Sequence, residues 1–164
     1  MLLVFSLRFA LINNKTPSNE LYENIQEIDA QNRERLKAII NQYGWPGVSL
    51  VGLEGASALW LLVQHQDLDV DFQKYCLELL KKAVSHYEAS SQSQAYLTDR
   101  VKMNEGKPQI YGTQWIREGE KFYMYPVEDI EHLDERRLEM GLDTIAEYKK
   151  QIQMVYQLSN ENFN

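Results

Sequence analysis

The chain reads as a mainly α protein: a single helical domain of about five helices carrying one β-hairpin. Three observations predict this. Apolar residues recur at helical spacing over residues 21–43 and again over 72–87. Between them lies an almost unbroken apolar run, Ala58-Leu59-Trp60-Leu61-Leu62-Val63. After Gln109 the pattern changes to two short strand-like segments flanking Arg117-Glu118-Gly119-Glu120, a Gly-containing turn. With 164 residues, 44% of them hydrophobic, the chain is large enough for one domain whose core needs no metal or disulfide staple.

Residues 1–12, MLLVFSLRFALI, are apolar apart from Ser6 and Arg8. They are too few to span a bilayer, which takes about 20 residues. They lack the basic start and small-residue cleavage site of a secretory signal. A strand or a docked apolar segment is expected there, in a soluble protein that reads as cytoplasmic, although the apolar start leaves secretion open. Residues 1–18 thus form an apolar segment and polar break, 19–158 the globular domain, and 159–164 a polar, frayed tail.

Ser18 or Asn19 can cap a helix that runs to about Tyr43 and stops at Gly44-Trp45-Pro46-Gly47. Its stripe is Leu21, Ile25, Ile28, Leu36, Ile39 and Tyr43. Asn32 stands where the stripe demands a hydrophobe, with Asp29 one turn earlier, and such a break of pattern is expected at a functional site. The plainer alternative is a helix–helix hydrogen bond made by a core amide. A second helix is expected from Val51 or Gly52 to His65; apolar nearly all round, it should be central and buried. The third spans about 70–88, with Phe72, Cys76, Leu79, Ala83 and Tyr87 inward, and residues 90–94 form a polar loop. Residues 95–103 make a helix or turn that carries Asp99-Arg100.

The hairpin is expected at 109–116 and 121–125, with Trp115 opposite Phe122 and Thr113 opposite Met124. Gly112 within the first strand marks a bulge or a close approach, from which Gln114 could read a ligand. Two helices, about 130–140 and 143–158, follow with Gly141 as the cap between them.

The net charge is −7 and no Lys/Arg tract exists, which argues against a nucleic-acid partner. The single cysteine, Cys76, can form no intrachain bridge, and its apolar neighbours suggest a buried structural thiol. No nucleophile elbow, P-loop, GxGxxG turn, HExxH or kinase motif occurs.

The most informative stretch is Gln64-His65-Gln66-Asp67-Leu68-Asp69-Val70-Asp71, which delivers one imidazole and three carboxylates directly after the apolar run. His65 could act as a general base oriented by Asp67 or Asp69. No cofactor motif is evident, but His65, Asp67 and Asp69 are also candidate ligands of a divalent metal. The plainer reading is that Asp69 or Asp71 caps the next helix and Asp67 solvates the turn. The D-x-D-x-D spacing lacks the Gly and distal Glu of a calcium loop, so an EF-hand is rejected. Asp99 and Arg100, adjacent in sequence, either clamp a ligand or bridge separate elements as structural charges. His86 and His132 stand alone among polar residues as solvated side chains, and residues 131–137 read as a charged helix face, from which Arg136 or Arg137 could reach toward an acidic site.

Taken together, Asp29-x-x-Asn32, Tyr43-Gly44-Trp45-Pro46, Val51-Gly52, the segment from Trp60 through His65-x-Asp67-x-Asp69, and Phe72-Gln73 resemble a bacterial domain-of-unknown-function family, number 6624. The later motifs agree: Ala95-Tyr96-Leu97-Thr98-Asp99-Arg100-Val101, Gln109-x-Tyr111-Gly112-Thr113-Gln114, Pro126-Val127-Glu128-Asp129, Asp134-Glu135-Arg136-Arg137, Gly141-Leu142 and Glu147-Tyr148. The resemblance covers roughly residues 29–148 and implies a shared fold and site, but supplies no reaction. Val70-Asp71 departs from the family pattern, in which more acidic or Pro residues follow the His-x-Asp segment.

The expected site is a polar pocket where the first helix, the central helix and the hairpin meet. His65, Asp67, Asp69 and Asp99 are its catalytic candidates; Asp29, Asn32, Gln73, Arg100, Tyr111 and Gln114 are its ligand-binding candidates. In this reading the protein is a small enzyme acting on a polar or anionic small molecule. The competing reading, motivated by ten tyrosines and the open face of the hairpin, is a non-catalytic module that docks a protein partner.

Overall fold

The structure is a computed structural model that describes residues 18–118 and 121–156. The expected apolar segment at 1–12, the tip of the hairpin and the tail at 159–164 lie outside the described residues. The described residues are mainly α, with six α-helices and a two-stranded antiparallel hairpin. None of the helices is long and apolar enough to cross a membrane. The chain divides into two compact units, Met1–Ala89 and Ser90–Asn164.

In the first unit, α1 spans Asn19–Tyr43. Ser18 caps it, its hydroxyl accepting the Leu21 N–H at 3.2 Å. Gly44, at φ 68°, ends it through a backbone N–H to the Ile40 carbonyl. Ile25, Leu36 and Ile40 are its buried line. Tyr43, expected on that stripe, is exposed, because the row that packs inward ends at Ile40.

Helix α2 covers Val48–Gln64 but is broken at Gly52, whose φ of 71° and ψ of 172° no helix contains. The continuous helix therefore starts at Leu53, close to the expected boundary. The expectation of burial all round is corrected: Leu53 is 73% exposed, and the buried line is Ala56, Leu59, Val63 and Gln64. Helix α3, Val70–Ser85, buries Phe72, Gln73, Cys76, Leu77, Leu80 and Ala83. It ends three residues before the expected point. Tyr87, assigned to the stripe, adopts φ 62° beyond the helix and is 95% exposed. Helix α2 packs on both α1 and α3. Cys76 is fully buried, and burial with the nearby Asp69 charge pushes its thiol up to about 12, as expected of an inert core cysteine.

In the second unit, α4 spans Ser91–Asn104. It absorbs most of the loop expected at 90–94, because Ser90 caps it by accepting the Gln92 N–H. The hairpin is shorter than expected: β1 is Trp115–Glu118 and β2 is Lys121–Met124. Trp115 pairs with Met124 and Arg117 with Phe122, so the register differs by two residues from the expected one. A shift of two leaves every side chain on its expected face. A 3-10 turn at Ile130–His132 leads into α5, Leu133–Glu139, and α6 covers Ile145–Tyr156. Gly141, at φ 69°, follows α5 in the expected capping position. Phe122 and Ile152 form a small core with Trp115, Tyr148 and Tyr156 packed against it.

Candidate functional site

Six of the ten candidate residues lie in the first unit and four in the second. In the first, α2 ends at the His65–Asp69 turn, and the problem there is the last carbonyls of the helix, which lack intrahelical partners. Two buried glutamines answer it. Gln66 donates its Nε2 to the Leu62 carbonyl at 3.1 Å. Gln73, fully buried on the first turn of α3, donates to the carbonyls of Val63 (3.3 Å) and Gln64 (3.1 Å) and to Asp67 Oδ1 (3.3 Å). Gln73 and Asp67 are thus brought together, and the turn is tied to both helices.

Asp69 resolves in favour of capping. Its Oδ1 accepts the Phe72 N–H at 3.1 Å, which caps α3. Its Oδ2 accepts Lys37 Nζ at 2.9 Å, with Arg33 Nε 3.9 Å away. The hydrogen bond from Lys37 holds the Asp69 carboxyl below its ordinary value, against the opposing effect of burial. Lys37 also lies 5.5 Å above the Phe72 ring. This clasp fixes the middle of α1 over the turn. Asp29 and Asn32, both half-buried, are neighbours on one face of α1 at a spacing of three. Asp71 points to solvent beside Lys74.

His65 is the C-cap residue of α2 and is half-buried. Both oxygens of Asp69 already face donors, and Asp67 Oδ1 accepts from Gln73. Among the described residues no three His, Cys, Asp or Glu side chains converge into a set that could hold a metal ion. Buried groups without a hydrogen-bond partner in this unit include Gln66 Oε1, on a residue only 1% exposed, and Asn32 Nδ2. Gln66 was missed by sequence reasoning. A glutamine flanking the conspicuous histidine carries no periodic signal of its burial.

In the second unit the four candidates belong to one network around the loop at 109–114. Asp99, fully buried, accepts the N–H groups of Ile110 (2.7 Å), Tyr111 (3.0 Å) and Thr113 (2.9 Å) and the Thr113 hydroxyl (2.9 Å). Burial pushes its carboxyl up from the ordinary value, and these four donors oppose the shift. Arg100 donates to Gln114 Oε1 at 3.0 Å, and Gln114 Nε2 donates to the Thr113 hydroxyl at 2.9 Å. Gln114, expected to read a ligand, has both ends of its amide occupied.

The carbonyl side of this loop is held by residues outside the ten candidates. Arg136 donates to the Ile110 carbonyl at 3.0 Å, and Tyr148 donates its hydroxyl to the Thr113 carbonyl at 3.2 Å. Arg137 donates to the carbonyls of Tyr111 and Asp143, both at 2.6 Å, and stacks over Tyr148. The expected charged face at 131–137 holds for Glu131, Asp134 and Glu135, which are exposed, and is corrected at Arg137, which is 1% exposed. Gln109, also buried, accepts the Gln114 N–H and donates to the carbonyls of Gln114 and Tyr125. Nor does His132 stand alone: Asp129 pairs with it at 2.9 Å and, chiefly through that hydrogen bond, raises its pKa.

Neither the curated proteins nor the solved structures provide a match. A family model described as a "Family of unknown function (DUF6624)" matches residues 8–161, nearly the whole chain, and the chain belongs to that family.

Proposed function

We propose that this chain binds a small polar molecule at the turn between α2 and α3 and acts on it as a small enzyme, with His65 as the acid/base group and Asp67 beside it. One observation carries the reading: Gln66 Oε1 and Asn32 Nδ2 are buried yet have no hydrogen-bond partner. An unmet buried polar group costs about 1–3 kcal/mol, so folded proteins rarely keep one without a reason. A bound ligand supplies that reason. In the second unit, Asp99, Arg100, Tyr111 and Gln114 serve to hold a loop.

The test is a thermal-shift screen of small polar compounds on the full chain, on Asn32→Leu and on His65→Ala. Compounds that stabilise the wild type and fail with Asn32→Leu are expected. Equal stabilisation of wild type and Asn32→Leu would refute the site. Loss of turnover of a hit compound in His65→Ala, at unchanged melting temperature, is expected of an acid/base group; a large drop in melting temperature would make His65 a structural cap.

Docking of a protein partner is a second reading, motivated by Leu50, Val51 and Leu53, which are exposed around the Gly52 break. It predicts that Leu53→Asp removes partner capture and leaves the small-molecule response intact.

A further inference from the structure

The clasp between α1 and the turn sets two cations against one carboxylate. Arg33 and Lys37 stand at i and i+4 on α1, a spacing at which like charges repel. Asp69 answers only one of them by hydrogen bonding. Its Oδ2 accepts Lys37 Nζ at 2.9 Å, and its Oδ1 is committed to the Phe72 N–H at 3.1 Å. Arg33 Nε lies 3.9 Å from Asp69 Oδ2, which is beyond hydrogen-bond reach. Among the described residues the Arg33 side chain has no other ion pair and no hydrogen bond. The other acids of the turn are engaged elsewhere: Asp71 Oδ1 is 3.9 Å from Lys74 Nζ, and Asp67 Oδ1 accepts from Gln73. With 24 acidic residues in the chain against 17 Lys and Arg, a shortage of carboxylates does not explain this arrangement.

The form of the group sets the class of what it takes. A guanidinium is planar and always charged, and its parallel N–H groups match the two oxygens of a carboxylate. The Arg33 side chain is 23% exposed, so packing fixes most of its course while solvent still reaches it. The clasp is in excess by a single positive charge, which one carboxylate neutralises. A phosphate monoester brings about −1.5 to −2 at neutral pH, and the charges of Asp67 and Asp71 on the same turn disfavour it. Asp69 also ties Arg33 to the turn itself, since its N–H donates to the Gln66 carbonyl at 2.9 Å.

We infer that Arg33 receives the carboxylate of a small-molecule ligand through its N–H fork, with Lys37 adding its charge. This rests on the ligand-site reading above and names the ligand class for it.

The experiment follows the Arg33 Nε–H and the Asp69 backbone amide by 1H–15N NMR in the labelled full chain. Sodium acetate, sodium phosphate and acetamide are titrated in turn, with sodium chloride holding the ionic strength constant. Acetate is expected to shift both signals saturably and more tightly than phosphate, and acetamide to leave them in place. In Arg33→Lys, which keeps the charge and loses the fork, acetate should bind about tenfold more weakly, read at the Asp69 amide. Asp69→Asn removes the competing carboxylate, so acetate should bind it more tightly, read at Arg33. If acetamide moves the signals and acetate does not, the carboxylate class is overturned while the turn stands as a ligand site. Tighter binding of phosphate than of acetate would likewise overturn the class. An equal acetate response in wild type and Arg33→Lys would reduce the effect to charge alone and overturn the fork. Should no probe move either signal, the role of Arg33 is overturned, and the ligand site itself then stands or falls by the thermal-shift comparison with Asn32→Leu.

Discussion

The loop at 109–114 in the second unit and the turn at 64–71 in the first are both short, polar and rich in buried side chains. They close their hydrogen bonds differently. Around the loop, Asp99 takes the N–H groups, while Arg136, Arg137 and Tyr148 take the carbonyls, and Gln109 spans its two ends. A peptide segment held from both sides has one arrangement, and such a network rigidifies its surroundings. At the turn, the same kind of residue caps the carbonyls of α2 but leaves Gln66 Oε1 open, and on α1 Asn32 Nδ2 is open as well. Saturation marks a structural device; an open valence marks a place for something else. By this measure Asp99, which had seemed as good a catalytic candidate as His65, is committed to its loop.

The largest expected effect tests the saturated side. Asp99→Ala strips Ile110, Tyr111 and Thr113 of their N–H acceptor in a buried setting, which should cost roughly 3–5 kcal/mol, measured by urea denaturation. A loss below about 1 kcal/mol would mean that water replaces the carboxylate and that the network is not closed. Gly112→Ala comes next. Gly112 has φ 65°, and an added Cβ would meet Ile145 Cδ1 and Met124 Sδ at 3.2 Å and Leu133 Cδ2 at 3.3 Å. Left-handed strain and crowding together should cost about 2 kcal/mol. Stability unchanged by this substitution would show that the loop adjusts freely, and the contrast with the turn would weaken.

Much of this was legible in the residues. Ser18 and Gly44 bound α1 as expected because capping is a local matter, decided within three or four residues. Asp69 as the cap of α3 was legible for the same reason, and so was the break that Asn32 makes in its own stripe. What could not be read were side chains that reach backbone groups far away in sequence. Arg137 sits in a charged stretch that reads as a wet face, yet its guanidinium is drawn inward by the carbonyl of Tyr111, 26 residues earlier. Gln109 pairs with Tyr125, 16 residues on. Helical and strand periods record which face is apolar; they carry no record of such pairings. The extended strand expected through Thr113 failed at Gly112, where the positive φ lets the chain turn back on Asp99.

A gain of stability is the expected outcome on the open side. Asn32 is aligned with Leu36 and Ile40, both buried, and its Nδ2 has no partner. Asn32→Leu removes the unmet donor and completes the apolar line, so the free protein should gain about 1 kcal/mol. For a chain of this size that raises the melting temperature by about 2–4 °C. A residue kept at a cost to stability is what a binding role explains. A loss of stability would show that Asn32 is satisfied in solution, and the two regions would then no longer differ.

The smallest effect concerns the clasp beside the open groups. Because Lys37 lowers the Asp69 carboxyl in the folded chain, the unfolded state binds the proton more readily. The contribution of Asp69 is therefore complete above the ordinary aspartate value of about 3.9 and is lost as pH falls through the lower folded value. Asp69→Asn keeps a side chain able to cap α3 but gives up the attraction of Lys37 and Arg33. The partly exposed pair limits the loss to about 1 kcal/mol or less at neutral pH. Wild type and Asp69→Asn should converge in stability as pH drops below about 4, measured by urea denaturation at each pH. Curves that run parallel instead would assign the role of Asp69 to capping alone. The position of α1 over the turn would then rest on the packing of Leu36 and Ile40 and not on the ion pair.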